Sequence, residues 1–496
     1  MDFYNLDIRQ TILSNPSNAE LILSNLSDTI RTAPKYCFPK GLTDADINNL
    51  FVEYIDSPDA NLNYIQQIAN YKNGSNTYKI SKEVIYAARS KYEVLAQSFF
   101  EFQQAMTINL SISFKQQEEI KSFHIDGSNY EYSYDSKWIS NHLEYLEILY
   151  NFAFLFEWFD KQFCITLLSK PNSSALLEKL VGGRNKSDYF TYFGFEMINE
   201  LAIQQLKSYY HLLQNSGILL EDMFRWYYTD HLDEEFGIKD FHISLPSKET
   251  SYYEKCKSIA PEFESLLKQY ASLCKFNNID HRYIENVNPQ ISYTNLPSLC
   301  KNKYGYPKSD EIKGSIFLLF SSQSQCYYLQ ELGDNNEDCL IDQILKHKIK
   351  YSSFEPWQLH GIDHLINSKI LKKTTNDETL QINDSNLVLI LNDFYQNGFV
   401  SIRNYPEEVI LTLDELIKQE HVCTGGSLLS TQEGDYFDYH LNDSSFGNSL
   451  SLRNKYSHGT PGENCERDYF NLLKLLTLLT IKIDNDLQNS DRLRLT

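Results

Sequence analysis

The stretch SLRNKYSHGTPG, residues 451–462, is followed by ERDYFNLLKLLTLLTIKIDNDL, residues 466–487, and together they decide the fold of the C-terminal region. A glycine and a proline soon after His458 predict that a helix beginning near Asn448 ends there. The second stretch has apolar residues three and four apart, which predicts one long helix with an apolar face. That face has to pack against something, so we expect a helical bundle, to which a second copy of the chain is a further possible contributor.

The predicted helix end gives His458 a particular environment. Unpaired backbone carbonyls at a helix C-terminus favour a cation, and a histidine that titrates near neutral pH is suited to proton transfer. Asn454 lies four residues earlier and therefore shares a helix face with His458. Arg453 lies about 140° away round an ideal helix, so it reaches the same phosphate through its length, or a second subunit completes the site.

These residue types are those that RNA cleavage without a metal requires. A base has to take the proton of the ribose 2′-hydroxyl, and a cation has to stabilise the charge that builds on the phosphate. His458 fits the first role and Arg453 the second, while Asn454 is suited to orient the phosphate or the imidazole. The leaving 5′-oxygen needs an acid, which the histidine of a second subunit would supply. We expect the neighbouring Lys455 and Tyr456 to bind the substrate.

The arrangement Arg453-Asn454-x-x-x-His458 resembles the R-x(4–6)-H motif of the HEPN ribonuclease superfamily, in which a polar residue often follows the arginine. Leu452, Gly459 and the long closing helix are also similar to that family. The resemblance implies a usually dimeric four-helix bundle whose two motifs face each other and cut RNA without a metal or cofactor. It also implies a toxin or effector of prokaryotic antiviral defence that acts by abortive infection.

The resemblance covers only about residues 430–490, well under a fifth of the chain. The alternative is a catalytically inactive bundle of the same type that serves dimerisation or interaction, as a sensor or scaffold. In that case Arg453 pairs with Glu466 or Asp468, and His458 only caps its helix. A protein partner or trigger would then bind the acidic N-terminal region, as it also would if the enzyme is active and regulated.

Two other groups of residues have the right types for chemistry but lack the context. Arg225 and His231 have a similar spacing, without the polar neighbour or the glycine, so we predict a structural role for them. His360 and His364 are four apart, as metal ligands on one helix face can be, but no third ligand is evident and we predict no metal site. The glycine-rich, basic run 182–186 lacks the pattern of a phosphate-binding loop and predicts a plain loop.

Composition and charge limit the class of protein. The formal net charge is −21, which argues against broad non-specific binding to nucleic acid or to anionic membranes. Residues 440–496, however, hold seven Lys/Arg and seven Asp/Glu, so the C-terminal region is neutral. Nine scattered cysteines without a C-x-x-C pair indicate a reducing cytoplasm and no zinc site. The N-terminus lacks a signal segment, and the apolar stretch 146–168 contains charges, so no membrane span is expected.

The whole chain is predicted to be mainly α-helical and multi-domain. The segment Gly314–Phe320 is compatible with either a buried strand or a short helix, because its run of apolar residues fits both. Five segments are predicted: a helical N-terminal region 1–135, a helical domain 136–285, a connecting region 286–354, a winged-helix-like α/β segment 355–430, and a HEPN-like helical region 431–496.

The winged-helix-like prediction rests on a pattern that occurs twice. A short helix near Asp363 is followed by two predicted strands in 370–382, and 51 residues later a helix near Asp414 is followed by the apolar stretch 422–429. A helix plus β-hairpin, twice, resembles a pair of winged-helix units, which either bind nucleic acid or join proteins. Few lysines or arginines cluster there apart from 346–350 and 369–373, which disfavours a DNA-binding regulator.

Overall fold

The chain forms two compact units in a computed structural model. The structure describes residues 5–26, 38–39, 41–58, 60–69, 71, 78–102, 109–170, 188–286, 292–458 and 464–490. Unit 1 consists of residues 1–136, 174–194 and 436–459; unit 2 consists of residues 137–173, 195–435 and 460–496. The described residues are mainly helical with small sheets, which confirms the predicted fold class at that level. The predicted segment 431–496 is divided between the two units.

The helices and strands are numbered here in chain order. The helices of the first half are α1 Asn5–Leu13, α2 Ala19–Leu26, α3 Asp44–Asp56, α4 Leu62–Ala69, α5 Lys82–Phe102, α6 Ser136–Ser140, α7 Tyr145–Phe154, α8 Phe193–Asn215, α9 Leu220–Trp226, α10 Leu232–Phe236, α11 Tyr252–Ile259, α12 Glu262–Phe276 and α13 His281–Asn286. Those of the second half are α14 Asp310–Phe320, α15 Leu340–Lys346, α16 Pro356–Asn367, α17 Ser385–Asn397, α18 Glu407–Lys418, α19 Thr431–Leu441, α20 Leu452–His458 and α21 Cys465–Gln488. The strands are β1 Asn109–Lys115, β2 Lys121–Asp126, β3 Asn129–Asp135, β4 Tyr304–Pro307, β5 Leu371–Lys373, β6 Leu380–Ile382, β7 Val400–Ser401 and β8 Val422–Gly425.

Unit 1 joins a small helical core to a three-stranded sheet. The core packs α2–α5 around apolar residues such as Phe51 and Ile65, which are fully buried. Helix α3 begins at a capping box in which Thr43 and Asp46 bind each other's backbone N–H. Arg9 also binds Asp46, and together with the cap it lowers the pKa of that carboxyl to about 2. In the sheet β3 is central, with β1 parallel and β2 antiparallel to it.

Unit 2 is built around α21, which α7 and α11 pack against. Every residue of α21 from Tyr469 to Leu487 is buried. The sequence predicted a long helix from Glu466 to Leu487, which is confirmed within a residue at each end. The prediction of a single apolar face is wrong, because the helix is enclosed on all sides. This stretch therefore has no exposed face left for a second copy of the chain.

The remainder of unit 2 contains two repeats of one structural pattern. Repeat A consists of β4, α14, α15, a 3₁₀ turn at Tyr351–Ser353, α16 and β5, while repeat B consists of β6, α17, β7, a 3₁₀ turn at Ile402–Asn404, α18 and β8. Helices α16 and α18 are both 12 residues long and are offset by 51 residues at both ends. Lys369 and Glu420 follow them at the same offset, with nearly equal positive φ of 58° and 59°.

The two repeats exchange their central strands. In one sheet β4 of repeat A lies between β7 and β8 of repeat B. In the other, β6 of repeat B pairs with β5 of repeat A on one side, and its neighbour Thr379 pairs with Lys350 on the other. The two sheets have the same residue pairing when 75 is added to the residue numbers of β4 and 51 is subtracted from those of β7 and β8. Gly305↔Thr424, for example, corresponds to Leu380↔Lys373. The 24-residue difference arises between the start of α14 and the end of α15, which both correspond to parts of the single helix α17.

This arrangement bears on four predictions. Gly314–Phe320 belongs to α14, so the helical alternative is right. The first predicted hairpin is confirmed as β5–β6. The second, over 422–429, is wrong, because β8 pairs with β4 and not with the chain that follows it. The region 286–354 is likewise more than a connection, since repeat A begins at Tyr304 and not at residue 355. Sequence patterns show local pairing, and here the partner strand is distant in sequence.

Candidate active site

The segment that leads into α20 is fixed by contacts within unit 1. The backbone N–H of Tyr189 donates to Asn448 Oδ1 at 2.8 Å, and Asn448 Nδ2 donates to the carbonyl of Tyr189 at 2.9 Å. The ring of Tyr189 stacks on Tyr439 with 4.7 Å between centroids. The N–H of Leu450 donates to the carbonyl of Tyr439. The side chain of Asn448 is thus bound to the backbone of Tyr189, and Asn448 itself lies in a turn and not in a helix.

Helix α20 starts later than predicted. It begins at Leu452, four residues after the expected Asn448, because Ser451 has a φ of 51°. A left-handed conformation is costly for a residue with a Cβ, and it separates the helix from the preceding chain. The structure describes the helix as far as His458. The predicted helix end, the His458 side chain and residues 459–463 lie outside the described part of the structure.

The side chains of α20 divide into an anchored face and a more open one. Leu452 and Tyr456, four residues apart, are 2% and 5% exposed and hold the helix in place. Arg453, Asn454 and Lys455 are half-buried. The predicted arginine and asparagine are therefore adjacent on a helix whose orientation is fixed by the buried pair.

The two predicted substrate-binding residues, Lys455 and Tyr456, differ in how much of the side chain is exposed. The Lys455 ammonium lies 5.6 Å from the centroid of the Tyr456 ring. Since Tyr456 is buried, its ring has little surface for a substrate and instead supports Lys455. Lys455 is the one of the two whose side chain is partly open to solvent.

Buried charges along α21 form a feature that the sequence analysis missed. Lys482 Nζ lies 2.8 Å from Glu433 Oε1, and both side chains are fully buried. Lys303 Nζ lies 2.6 Å from Asp486 Oδ1, again with almost no exposure. Despite burial, the nearby ammonium groups keep the pKa of Glu433 and of Asp486 below the ordinary values. The signal in the sequence was charged residues within an otherwise apolar helix.

Lys474, also on α21, is fully buried. Its ammonium donates to Asn199 Oδ1 at 2.8 Å. Burial lowers the pKa of this lysine to about 7, helped by the nearby Arg467 guanidinium. Arg467 itself pairs with Glu200 at 2.7 Å, and Glu466 pairs with Lys207 at 2.9 Å.

Arg225 lies in α9, and His231 is the last residue of the π-helical turn Tyr227–His231 that follows. Arg225 pairs with Asp222 in the same helix. His231 is wedged among aromatic rings, including Trp226 at 5.0 Å, and its Nε2 is 3.8 Å from the buried carboxylate of Asp484. Each residue is thus engaged with a different partner, one at the surface and one at the core.

On α16, His364 and Asp363 contact different side chains. His364 Nε2 bonds to Ser315 Oγ at 2.9 Å, and Asp363 accepts from the Tyr351 hydroxyl at 2.7 Å. Within the described ranges no three His, Cys, Asp or Glu side chains are close enough together to hold a metal ion. The basic run 182–186 lies outside the described residues.

Searches with family models, against curated proteins and against solved structures found no match to this chain. Among the described residues, no helix combines the length and apolar character that a membrane crossing requires.

Proposed function

We propose that this chain is a metal-independent endoribonuclease of the HEPN type, acting in the cytoplasm as a toxin or effector of prokaryotic antiviral defence by abortive infection. The observation that carries the proposal is α20: an anchored helix that presents Arg453 and Asn454 half-buried and includes the backbone of His458. The sequence adds support to the motif, because the glycine and the proline behind His458 predict a helix end there.

The proposed reaction uses only groups of this chain and the RNA. His458 takes the proton of a ribose 2′-hydroxyl, and the 2′-oxygen attacks the adjacent phosphorus. The bond from phosphorus to the 5′-oxygen breaks, which leaves a 2′,3′-cyclic phosphate and a 5′-hydroxyl. Arg453 stabilises the negative charge on the phosphoryl oxygens, and Asn454 orients the phosphate. His458 of a second copy protonates the leaving 5′-oxygen, so the active form is a homodimer.

The test compares two arginine–histidine pairs of the same chain. Purified protein is incubated with total RNA and EDTA, and the fragment ends are analysed for cyclic phosphate. We expect Arg453→Ala and His458→Ala each to lower the cleavage rate by a factor of about 100 or more. Arg225→Ala with His231→Ala serves as the matched control and is expected to retain cleavage. Equal cleavage by the wild type and the two α20 variants, at equal thermal stability, would show that the site is not catalytic.

A second candidate function is supported by the two repeats of unit 2. Their helices and exchanged strands support the finer proposal that 304–425 forms a pair of winged-helix-like units. A catalytically inactive HEPN-like chain would use such units as an interaction scaffold or sensor. Under this alternative the wild type cuts no RNA, and a partner protein is retained by the Arg453→Ala and His458→Ala variants as well as by the wild type.

A further inference from the structure

The two sheets of the repeat region turn equivalent faces to very different surroundings. We call the faces that point away from the shared core outer face A, in the sheet of β5 and β6, and outer face B, in the sheet of β4, β7 and β8. The inner faces are fixed by burial, since Ile349, Leu371 and Leu380 of one sheet and Val400 and Val422 of the other belong to one apolar cluster. Strand residues adjacent to these therefore lie on the outer faces.

Outer face B is packed against protein over most of its positions. Phe399 and Ser401 are buried, Tyr306 is half-buried and Cys423 is exposed, and the buried Tyr304 lies beside them. Tyr304 and Phe399 are fully buried, and their rings meet edge to face at 5.5 Å. The Tyr304 hydroxyl donates to the carbonyl of Leu428 at 2.8 Å, and the Tyr306 hydroxyl accepts from the backbone N–H of Thr431 at 3.1 Å.

Outer face A has lysines at the equivalent positions. Under the offsets of 51 and 75 residues, Phe399 corresponds to Lys348, Ser401 to Lys350, Cys423 to Lys372 and Tyr306 to Gln381. All four of these face A residues are exposed, whereas Thr379, which corresponds to Tyr304, is buried. The equivalent surface is therefore largely closed by aromatic contacts in the sheet of β4, β7 and β8, and largely open and basic in the sheet of β5 and β6.

The positive charge of outer face A is concentrated. Alternate residues of a strand are about 6.6 Å apart, and the two outer strands of a three-stranded sheet are separated by about 10 Å. Lys348 is 72% exposed and pairs with one carboxylate of the neighbouring turn, Asp377, at 2.7 Å. Neither Lys350 nor Lys372 forms an ion pair with a described residue. Lys348, Lys350 and Lys372 thus share one exposed face with Asp377 beside them, and the same hairpin carries the ion pair of Lys373 and Glu378.

We propose that outer face A binds the phosphate backbone of RNA. Where this face meets protein, in repeat B, it carries aromatic residues, and the centres of protein interfaces are generally apolar and poor in lysine. A face that carries lysines and no apolar side chain is instead suited to bind a polyanion. The lysines bind its phosphates, and counterions are released. The identification of that polyanion as RNA rests on the proposed nuclease function. The face would hold the substrate at a place away from the strongly acidic remainder of the chain.

The test measures binding separately from cleavage. The full chain with Arg453→Ala and His458→Ala is titrated into a short fluorescein-labelled oligoribonucleotide at several salt concentrations, and anisotropy gives Kd. Adding Lys348→Glu, Lys350→Glu and Lys372→Glu is expected to raise Kd about tenfold or more and to reduce the slope of log Kd against log salt by about 2. The matched control is Lys313→Glu, Lys369→Glu and Lys418→Glu, which changes the net charge equally with exposed lysines elsewhere in the repeats. We expect it to shift Kd no more than about twofold.

Each outcome decides between the alternatives. Equal binding by the lysine variant and the control overturns the inference. It is also overturned if the starting protein binds no RNA and the lysine variant loses self-association in sedimentation, which would make the face a docking surface for an acidic second copy. If the lysines are needed for RNA binding but the wild type cuts no RNA, the inference stands and the proposed nuclease function fails.

Discussion

Repeats A and B share helices, turns and strand registers, yet they differ in what their outer faces do. In the sheet of β4, β7 and β8, Tyr304 and Phe399 fill a buried layer next to residues 428–433. In the sheet of β5 and β6, the same places are taken by Thr379 and Lys348. The backbone pattern is therefore compatible with either surface, and the side chains on alternate strand positions choose between a structural and a binding role. The same backbone arrangement can therefore carry a buried structural layer in one sheet and an exposed surface in the other.

The largest expected effect comes from truncating one equivalent position in each repeat. Phe399→Ala removes a fully buried ring from outer face B and is expected to lower the free energy of unfolding by about 3–5 kcal/mol. Lys348→Ala, at the matching position of repeat A, is expected to change it by less than about 0.5 kcal/mol, because that side chain is mostly exposed. Urea denaturation of both variants measures the contrast. Similar losses for the two would mean that outer face A is also packed against protein.

A smaller effect is expected from the buried carboxylate behind outer face B. Glu433 accepts a hydrogen bond from the Tyr304 hydroxyl at 3.1 Å and pairs with Lys482. Glu433→Gln leaves a buried ammonium without its counter-charge and is expected to cost about 3 kcal/mol near neutral pH.

The pH dependence of this loss gives a further check. The pKa of Glu433 in the folded protein lies below its ordinary value of 4.5, since Lys482 favours the carboxylate despite burial. A depressed pKa contributes stability that is present above the unfolded value and is lost as the pH falls through the folded value. Unfolding of wild type and Glu433→Gln, measured from pH 7 downward, should therefore converge below about pH 4.5. A gap that stays constant over that range would mean that the charge of Glu433 is not what stabilises the fold.

The smallest expected effect concerns a feature that the repeats have in common. Lys369 and Glu420 both adopt a left-handed conformation after equivalent helices. Replacing either one with glycine relieves the Cβ strain and is expected to raise the free energy of unfolding by about 0.5–1 kcal/mol, net of the greater freedom of glycine in the unfolded chain. Thermal unfolding of the two single variants should give nearly equal shifts. A gain in one repeat and a loss in the other would contradict the structural equivalence.

Local signals in the sequence predicted some of these features well. The length of α21 followed from its apolar spacing, and α20 was expected as a helix leading to His458. The start of α20 was misplaced because Asn448 binds the backbone of Tyr189, a contact 259 residues away in sequence. No local pattern reports such a contact.

Long-range pairing explains the remaining misses. The partners of the charges on α21 lie far along the chain: Lys303 is 183 residues from Asp486, and Glu433 is 49 residues from Lys482. The exchange of central strands is similarly invisible, because β4 and β8 each have the composition of an ordinary short strand. The candidate catalytic residues themselves were found from sequence, since their chemistry depends on residue type and on a helix end.

The exchanged strands also determine the order in which this region can be assembled during synthesis. The sheet around β6 has all its strands once residue 382 has been made, whereas β4 emerges first and has no partner until β7 and β8 follow. An unpaired strand edge invites association with other chains. Neither repeat can close its own sheet alone, so a ribosome that stops between them releases a chain with a partnerless strand. The two halves are thereby bound to a single folding event, and separating them by cleavage or truncation would remove the middle of both sheets.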